Sequence, residues 1–320
     1  MQTETLTPTN EIISAEAGII KIMNEQYFLF NQRKSDRKKI VKSYSQKELW
    51  ARTATLIEAL IAEKVNFPIS NVNLALLEKK QEEYLLRKQV ALLNEPWLPY
   101  HFAVIRSENM TGEKVSPNQF RRSARVINRA LIKKAIKEFG LEKENTVIVA
   151  PYRAGCFPAL EAYKMGFTKI LGIDVKRDES NAKKKAYVSY VSQMPKFNSS
   201  TKFLITEPMN ASGDSMSEVL QELLQSGVAT ENIFSVHAIT SPEGVVRIVE
   251  EFGIQMIIGA MDECLNVEVF ITGTGIGDYG DLSCEGLSPK WLAYFFRCLF
   301  SNLKDKEQFL TRVMSHKNAA

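Results

Sequence analysis

The most informative segment of the sequence is residues 203–215, which read Phe-Leu-Ile-Thr-Glu-Pro-Met-Asn-Ala-Ser-Gly-Asp-Ser. A short apolar run ends in an acid, and a loop of small and hydroxyl residues then opens directly into a helical pattern over 216–225. This order indicates a strand, a tight turn and the start of a helix. Since the backbone N–H groups at a helix N-terminus attract negative charge, the turn is a candidate anion site.

The residue types in this turn suit a bound phosphate. Ser212, Gly213 and Ser215 let a phosphate approach the backbone closely and add hydroxyl donors. Glu207 stands at the carboxyl end of the strand, where open α/β sheets place ligand chemistry. A turn of this kind, taken alone, is about as often a plain connection that binds nothing. The interpretation therefore depends on the rest of the chain.

The composition is that of an ordinary globular protein. The 320 residues are 45% hydrophobic and 24% charged, which gives room for one large domain or two modest ones. The net charge of +4 is too small to indicate nucleic-acid binding. No apolar stretch approaches the ~20 residues of a membrane span, and residues 1–10 lack the basic residue of a signal peptide. We expect a cytoplasmic protein that binds neither nucleic acid nor membranes.

Two other binding classes have weak support in the sequence. The four cysteines show no Cys-x-x-Cys spacing and the three histidines are widely scattered, which disfavours a zinc site. Nucleic-acid binding is left open by a group of arginines in one predicted helix: Arg121, Arg122, Arg125 and Arg129. A solvated helix face or an oligomer contact explains these arginines more simply.

The first part of the chain, residues 1–95, reads as a helical extension. Residues 45–48 (Ser-Gln-Lys-Glu) form a capping box that opens a helix with apolar residues at helical spacing as far as Ile61. A second helix is expected from Leu74 to Leu92, shortly before Pro96. The extension carries no catalytic constellation, and it could form a cap domain or an oligomerisation element.

From residue 96 onward, predicted strands alternate with predicted helices. The strands are short apolar runs rich in β-branched residues, at 146–150, 169–173, 202–206, 233–239 and 255–260. The helices are expected at 116–139, 159–165, 216–225, 244–252 and 290–303. This alternation predicts an α/β fold with a doubly wound, mostly parallel sheet. We place this domain at 96–286 and a C-terminal helical tail at 287–320.

Four further loops follow predicted strands, where ligand loops of such a sheet belong. They read Ala-Pro-Tyr-Arg-Ala-Gly at 150–155, Asp-Val-Lys-Arg-Asp-Glu at 174–179, Ser-Pro-Glu-Gly at 241–244, and an acidic, glycine-rich segment over 261–281. Gathered at one edge, they would combine an anion-binding turn with two arginines and several carboxylates able to hold Mg²⁺. Such a mixture suits a polyphosphorylated sugar bound together with a metal.

With these motifs, residues from about 100 to 286 resemble the uracil phosphoribosyltransferase family. The resemblance rests on Arg-Ala-Gly at 153–155, Glu-Pro-Met and its loop from 207, Ser-Pro-Glu-Gly at 241–244 and Gly-Ile-Gly-Asp-Tyr-Gly-Asp at 275–281. It implies the type I phosphoribosyltransferase fold, a parallel sheet flanked by helices with a small hood over the base pocket. Because dimers are common in this fold, we expect a homo-oligomer.

The resemblance also implies a reaction, in which ribose 5-phosphate passes from phosphoribosyl pyrophosphate to a nitrogen of uracil or another small heterocyclic base. Arg153 and Arg177 would hold the leaving pyrophosphate, where negative charge accumulates. Glu207 would steady positive charge on the ribose or bind its hydroxyls, and Asp278 would reach Mg²⁺ directly or through water. The implied substrate-binding residues are Met209, Asn210, Ala211, Ser212, Gly213, Asp214 and Ser215 in the phosphate loop, and Thr272, Gly275, Ile276 and Gly277, whose backbone groups would read the base.

Several residues depart from the family pattern. Asp214 stands where the family has a small neutral residue, and a carboxylate ~4 Å from a phosphate would be repelled by about 1 to 4 kcal/mol. We therefore expect Asp214 to turn away from the ligand and to accept hydrogen bonds from N–H groups at the start of the next helix. Glu207 replaces the family's Asp, and residues 272–274 differ from the family's approach to the base. These last residues are expected to govern the choice of acceptor.

Two alternative functions stay open at this point. One is a specialised transferase of the same fold with a different acceptor, which would retain the sugar-phosphate loops. The other is a regulatory protein that binds a nucleotide without turnover, because the fold also hosts such regulators. Pyrophosphate release in the presence of a panel of bases separates the enzymes from the regulator.

Overall fold

The computed structural model describes residues 89–93, 95, 98–106, 115–177, 186–261, 276, 278–288, 290, 292, 295 and 299. Of these, residues 95 and 98–103 belong to one compact unit and the others to a second, which carries the sheet. The first predicted N-terminal helix lies outside the described residues. The domain boundaries at 95 and 286 and the hood over the base pocket stay predictions.

One eight-stranded sheet organises the second unit. Its strands are β1 (Val90–Leu92), β2 (Thr146–Tyr152), β3 (Lys169–Arg177), β4 (Ala186–Val191), β5 (Lys202–Thr206), β6 (Met209–Asn210), β7 (Ile233–Thr240) and β8 (Gln255–Met261). Their order is β1-β8-β7-β5-β2-β3-β4, with β6 paired to β7. β4 runs antiparallel to β3, and the other pairs are parallel. The predicted α/β fold with a doubly wound, mostly parallel sheet is confirmed.

The described helices lie between these strands in the chain or, for the last one, after β8. They are α1 (Leu98–Ile105), α2 (Pro117–Phe139), α3 (Cys156–Lys164), α4 (Asp214–Gln225), α5 (Pro242–Phe252) and α6 (Tyr279–Cys284), with 3-10 turns at Lys143–Asn145 and Thr230–Asn232. α2 begins with a capping box, in which Ser116 and Gln119 each accept a hydrogen bond from the other's backbone N–H. In the tail, the four described positions between 290 and 299 are helical.

The predicted helix that ends at Leu92 is wrong at its C-terminal end. Val90–Leu92 is instead strand β1, paired in parallel with β8. The Leu93 N–H extends this pairing by donating to the Ile258 carbonyl at 2.7 Å. Pairing satisfies backbone groups and buries Val90 against the core. This tertiary contact outweighs the local helical spacing.

The loop predicted at 174–179 is also partly wrong, because β3 continues to Arg177. Residues 173–177 pair with the antiparallel strand β4, which the sequence analysis does not predict. β4 reads Ala-Tyr-Val-Ser-Tyr-Val, and most of its residues are only partly buried. Its pattern is therefore weak, and the pairing with β3 defines it.

Helix α6 lies on α2 and is held there by buried polar contacts. The Asn128 side-chain amide donates to the Tyr279 hydroxyl at 3.0 Å, and both residues are almost fully buried. The Arg121 guanidinium donates to the Glu285 carbonyl at 2.6 Å. These contacts set the position of the acidic residues at the start of α6.

The central strands are buried on both faces, as expected of a parallel sheet covered by helices. In β2, Val147, Ile148 and Val149 are fully buried, and they lie beside β5. At the ends of these two strands the packing is so close that Gly155 has no room for a side chain. A Cβ atom there would lie 2.5 Å from the Thr206 carbonyl oxygen and 2.6 Å from the Pro151 carbonyl oxygen.

We therefore expect Gly155→Ala to lower the free energy of unfolding by about 3 kcal/mol or more, because backbone atoms of central strands would have to move. The control is Gly227→Ala, where φ is +86° but nothing lies within 4 Å of the added Cβ. This control should lose only about 1 kcal/mol from backbone strain. Urea unfolding measures both, and equal losses would contradict the steric origin.

Candidate functional site

The candidate site lies where β2 and β5 end side by side. The direction in which strands are added to the sheet reverses here, since β3 follows β2 on one side and β5 lies on the other side of β2. Such a switch point opens a crevice at the carboxyl edge of an α/β sheet. The Thr206 hydroxyl lies between the carbonyl oxygens of Val149 and Gly155, at 3.0 Å from each. This contact places the loop after β2 beside the loop after β5.

The loop after β5 has the strand-turn-helix form that the sequence predicts. Helix α4 begins at Asp214, and Gly213 before it has the left-handed backbone conformation, with φ +80°. Ser241, after β7, supports the loop: its hydroxyl donates to the Ala211 carbonyl at 2.5 Å and its N–H donates to the Asn210 carbonyl at 3.0 Å. The first N–H groups of α4 thus sit at the sheet edge, where an anion can reach them.

The carboxylate of Asp214 is paired within this loop. It accepts a hydrogen bond of 2.6 Å from the Ser212 hydroxyl and forms a salt bridge with the guanidinium of Arg247, on α5. These partners differ from the helix N–H groups that the sequence analysis expects. Burial lowers the pKa of Arg247, but the hydrogen bonds and charges of Asp214 and, to a smaller extent, Glu251 together raise it above its usual value. No local pattern in the sequence points to Arg247.

The loop after β2 brings Arg153 to the acidic start of α6. Its guanidinium lies 2.5 Å from an Asp281 carboxylate oxygen and 3.9 Å from an Asp278 carboxylate oxygen. Asp278 also caps α6 by accepting the Asp281 N–H at 2.8 Å. Desolvation lowers the pKa of Arg153, but the two carboxylates raise it above its usual value. Two of the predicted catalytic residues, Arg153 and Asp278, are therefore neighbours.

Glu207 follows β5 and is partly buried. Desolvation raises the pKa of its carboxyl group to about 8, the Met209 N–H lowers it through a 3.5 Å hydrogen bond, and the negative charge of Asp278 raises it. The carboxyl group is therefore largely protonated at neutral pH. A nearby positive charge would favour its ionised form.

The backbone of Glu207 is held by a histidine that the sequence analysis does not single out. His237, on β7, is fully buried, and its Nδ1 lies 2.7 Å from the Glu207 carbonyl oxygen. Burial lowers the pKa of His237 to about 4, so the ring is neutral and Nδ1–H donates to this carbonyl. Nε2 then accepts from the Ser235 hydroxyl at 2.9 Å. Because the ring is neutral, His237 can position Glu207 without adding charge.

The other predicted site residues are distributed as follows. Arg177 ends β3, next to β2 in the sheet, opposite Ala186 of β4. Met209 and Asn210 form β6, beside β7. Ile276 is buried. Thr272, Gly275 and Gly277 lie outside the described residues.

Within the residues that the structure describes, no three His, Cys, Asp or Glu side chains form a group that could hold a metal ion. Over the same residues, no helix has the length and apolar character needed to cross a membrane.

Comparison with known proteins identifies a family that this chain resembles. The family model described as uracil phosphoribosyltransferase matches residues 141–283. A uracil phosphoribosyltransferase from Mycoplasmopsis agalactiae is 31% identical over 149 residues, which are 45% of this chain and 69% of the relative. One from Aquifex aeolicus is 29% identical over 45% of this chain and 68% of its own length. One from Dictyostelium discoideum is 30% identical over 36% of this chain and about half (51%) of its own length.

A solved structure shares the fold. A protein from Aquifex aeolicus superposes with a TM-score of 0.54 at 24% identity, covering 62% of this chain and 99% of that one.

The raised pKa of Glu207 makes stability depend on pH. In the unfolded chain the carboxyl group ionises near its ordinary pKa of 4.5, whereas in the folded protein it ionises near 8. Its contribution to stability is therefore complete below about pH 4.5 and is lost as the pH rises to about 8. Over that range, Glu207→Gln should gain stability relative to wild type by on the order of 3 kcal/mol. Urea unfolding at several pH values measures the difference, with Glu231→Gln, at an exposed position, as the control. Parallel pH curves for wild type and Glu207→Gln would contradict the assignment.

Proposed function

This chain belongs to the uracil phosphoribosyltransferase family, and on that premise we propose that it transfers ribose 5-phosphate from phosphoribosyl pyrophosphate to a nitrogen of uracil or a related small heterocycle, releasing pyrophosphate. The observation that carries the proposal is the arrangement at the edge of β2 and β5. A helix-start loop over 211–215, the carboxyl group of Glu207 and the guanidinium of Arg153 lie on two adjoining loops.

The loop over 211–215 would bind the 5-phosphate. The geometry of the loop supports this assignment. The left-handed conformation of Gly213 leads the backbone into the first turn of α4, and Ser241 stabilises the loop by a hydrogen bond to the Ala211 carbonyl. The N–H groups at the start of α4 and the hydroxyls of Ser212 and Ser215 are the donors that a phosphate needs.

Glu207 would act on the ribose. Bond breaking at the anomeric carbon develops positive charge on the sugar, and an ionised carboxylate nearby stabilises that charge. The same developing charge favours ionisation of Glu207 against the desolvation that raises its pKa to about 8. His237 would keep the backbone of this residue in place through its hydrogen bond to the carbonyl oxygen.

Arg153 and Arg177 would both bind the pyrophosphate through their positive charges. The guanidinium of Arg153 is now paired with Asp281 and Asp278, whose side chains are 65% and 59% exposed. Pyrophosphate would take the place of these partners, and both carboxylates would then become available to other ligands.

Mg²⁺ fits this set of residues. The ion is commonly bound by one or two carboxylates together with substrate phosphates rather than by an all-protein site. Asp278 and Asp281 supply two largely exposed carboxylates beside the arginine. When bound, Mg²⁺ would neutralise part of the charge on the pyrophosphate.

The base would be read by backbone groups of 272–277, a segment that includes the buried Ile276. As in the sequence analysis, residues 272–274 would set the choice of acceptor. The proposal also includes a homo-oligomer and a cytoplasmic location, which are supported by the family and by the composition.

The test of the function is pyrophosphate release from phosphoribosyl pyrophosphate and Mg²⁺ with a panel of bases. Wild type should release pyrophosphate with uracil or a related heterocycle. Arg153→Ala and Arg177→Ala should each lower kcat by ~10²-fold or more, as for other lost transition-state donors. Arg122→Ala, at an exposed position of α2, is the matched control and should leave kcat unchanged. Tight nucleotide binding without pyrophosphate release would favour the regulator, and normal rates in both variants would remove the arginines from the site.

The phosphate loop has its own test. Gly213→Val should weaken binding of phosphoribosyl pyrophosphate by about tenfold or more, because loop donors move away from the phosphate. The control is Gly227→Val, since Gly227 has a similar left-handed φ of +86° but lies in open space. Isothermal titration calorimetry measures the Kd of each variant. Equal affinity in Gly213→Val and in the control would exclude the loop from the site.

A further inference from the structure

A carboxylate at the first residue of α4 is an obstacle to the proposed function. Asp214 belongs to the loop that would bind the 5-phosphate, and its side chain is 27% exposed. Two negative groups at one helix start repel each other, and only partial screening by solvent is available to them. The loop can therefore bind a phosphate well only if another group compensates the negative charge of Asp214.

Arg247 is placed to compensate this charge. It lies on α5, and its guanidinium pairs with one carboxylate oxygen of Asp214 and lies 3.4 Å from the Ser212 carbonyl oxygen. Its aliphatic stem runs alongside the loop, since a Cβ atom built on Gly213 would lie 3.0 Å from the Arg247 Cδ. One side chain therefore contacts three successive residues of the loop.

The second carboxylate oxygen of Asp214 is hydrogen-bonded to Ser212, which belongs to the same loop. It accepts the Ser212 hydroxyl at 2.6 Å, so this hydroxyl is engaged before a phosphate arrives. A phosphate that takes this hydroxyl as a donor leaves Asp214 with one fewer partner. The salt bridge to Arg247 then becomes the interaction that still compensates the carboxylate.

We propose that Arg247 is a positioning residue for the phosphate loop, which neutralises Asp214 and holds its carboxylate away from the 5-phosphate so that the Ser212 hydroxyl can be given to the ligand. This inference rests on the proposed function of the same loop. It assigns no direct contact with the substrate to Arg247. The role acts only through Asp214, and that dependence makes it testable.

The experiment is a double-mutant cycle read by the Kd of ribose 5-phosphate and of phosphoribosyl pyrophosphate. Arg247→Met keeps the aliphatic stem beside Gly213 but removes the charge. It should raise the Kd of both ligands about tenfold at low salt. Asp214→Asn should bind at least as tightly as wild type, because a negative charge is removed. In the Asp214→Asn background, Arg247→Met should change the Kd by less than about twofold.

Three controls separate this role from a structural one. Arg247→Lys keeps the positive charge and should retain most of the affinity. Glu251→Gln removes the other partner of Arg247, which lies 3.3 Å from it and is about half exposed, and it should change nothing. The Kd of inorganic pyrophosphate should not change in any variant, and the loss in Arg247→Met should shrink as salt is added.

The possible results distinguish failure of the role proposed for Arg247 from failure of the proposed function. Wild type that binds ribose 5-phosphate while Arg247→Met loses the same affinity in both backgrounds, or none in either, overturns the inference and leaves the proposed function standing. Wild type that binds neither sugar phosphate overturns both. Loss of affinity that disappears in the Asp214→Asn background supports the inference.

Discussion

The candidate site depends on the close approach of the ends of β2 and β5. The Thr206 hydroxyl, buried at the end of β5, lies 3.0 Å from the carbonyl oxygens of both Val149 and Gly155. Because a side chain at Gly155 would overlap backbone oxygens, only glycine permits this distance between the loops. The result is that Arg153 and Glu207, more than fifty residues apart in the chain, emerge at one edge of the sheet. If these loops were further apart, the phosphate loop over 211–215 and the loop that carries Arg153 could not bind the same ligand.

The charged groups of the candidate site are compensated within the protein. Arg153 is paired with Asp281, Asp214 is paired with Arg247, and Glu207 holds a proton because desolvation raises its pKa to about 8. Uncompensated charges in such a crevice would destabilise the fold. Under the proposed function, binding is therefore an exchange of partners: phosphate and pyrophosphate replace carboxylates, and positive charge on the sugar replaces the proton. The affinity that results is a difference between two paired states rather than the sum of new contacts.

Much of the architecture could be predicted from local pattern. The five predicted strands begin at the observed residues, and α2 begins at its predicted cap, because apolar runs and capping residues act within a few positions. Several strands end later than predicted, since pairing with a neighbour continues beyond the apolar run. β1, β4 and β6 were not predicted for the same reason: they are short or partly polar, and hydrogen bonds to β8, β3 and β7 define them.

The order of the five predicted strands and of the helices between them, and the chemical character of each loop, could be read from the sequence, because both depend on residues close together in the chain. It thereby predicted that Glu207, Arg153 and the phosphate loop follow strands of a mostly parallel sheet and lie at the same edge of it. The groups that compensate their charges or hold their backbone come from other elements of the fold. Arg247 reaches Asp214 from α5, and His237 reaches the Glu207 backbone from β7, across about thirty positions of the chain in each case. Such pairs depend on strand order and on the direction of a helix axis, which no spacing in the sequence encodes.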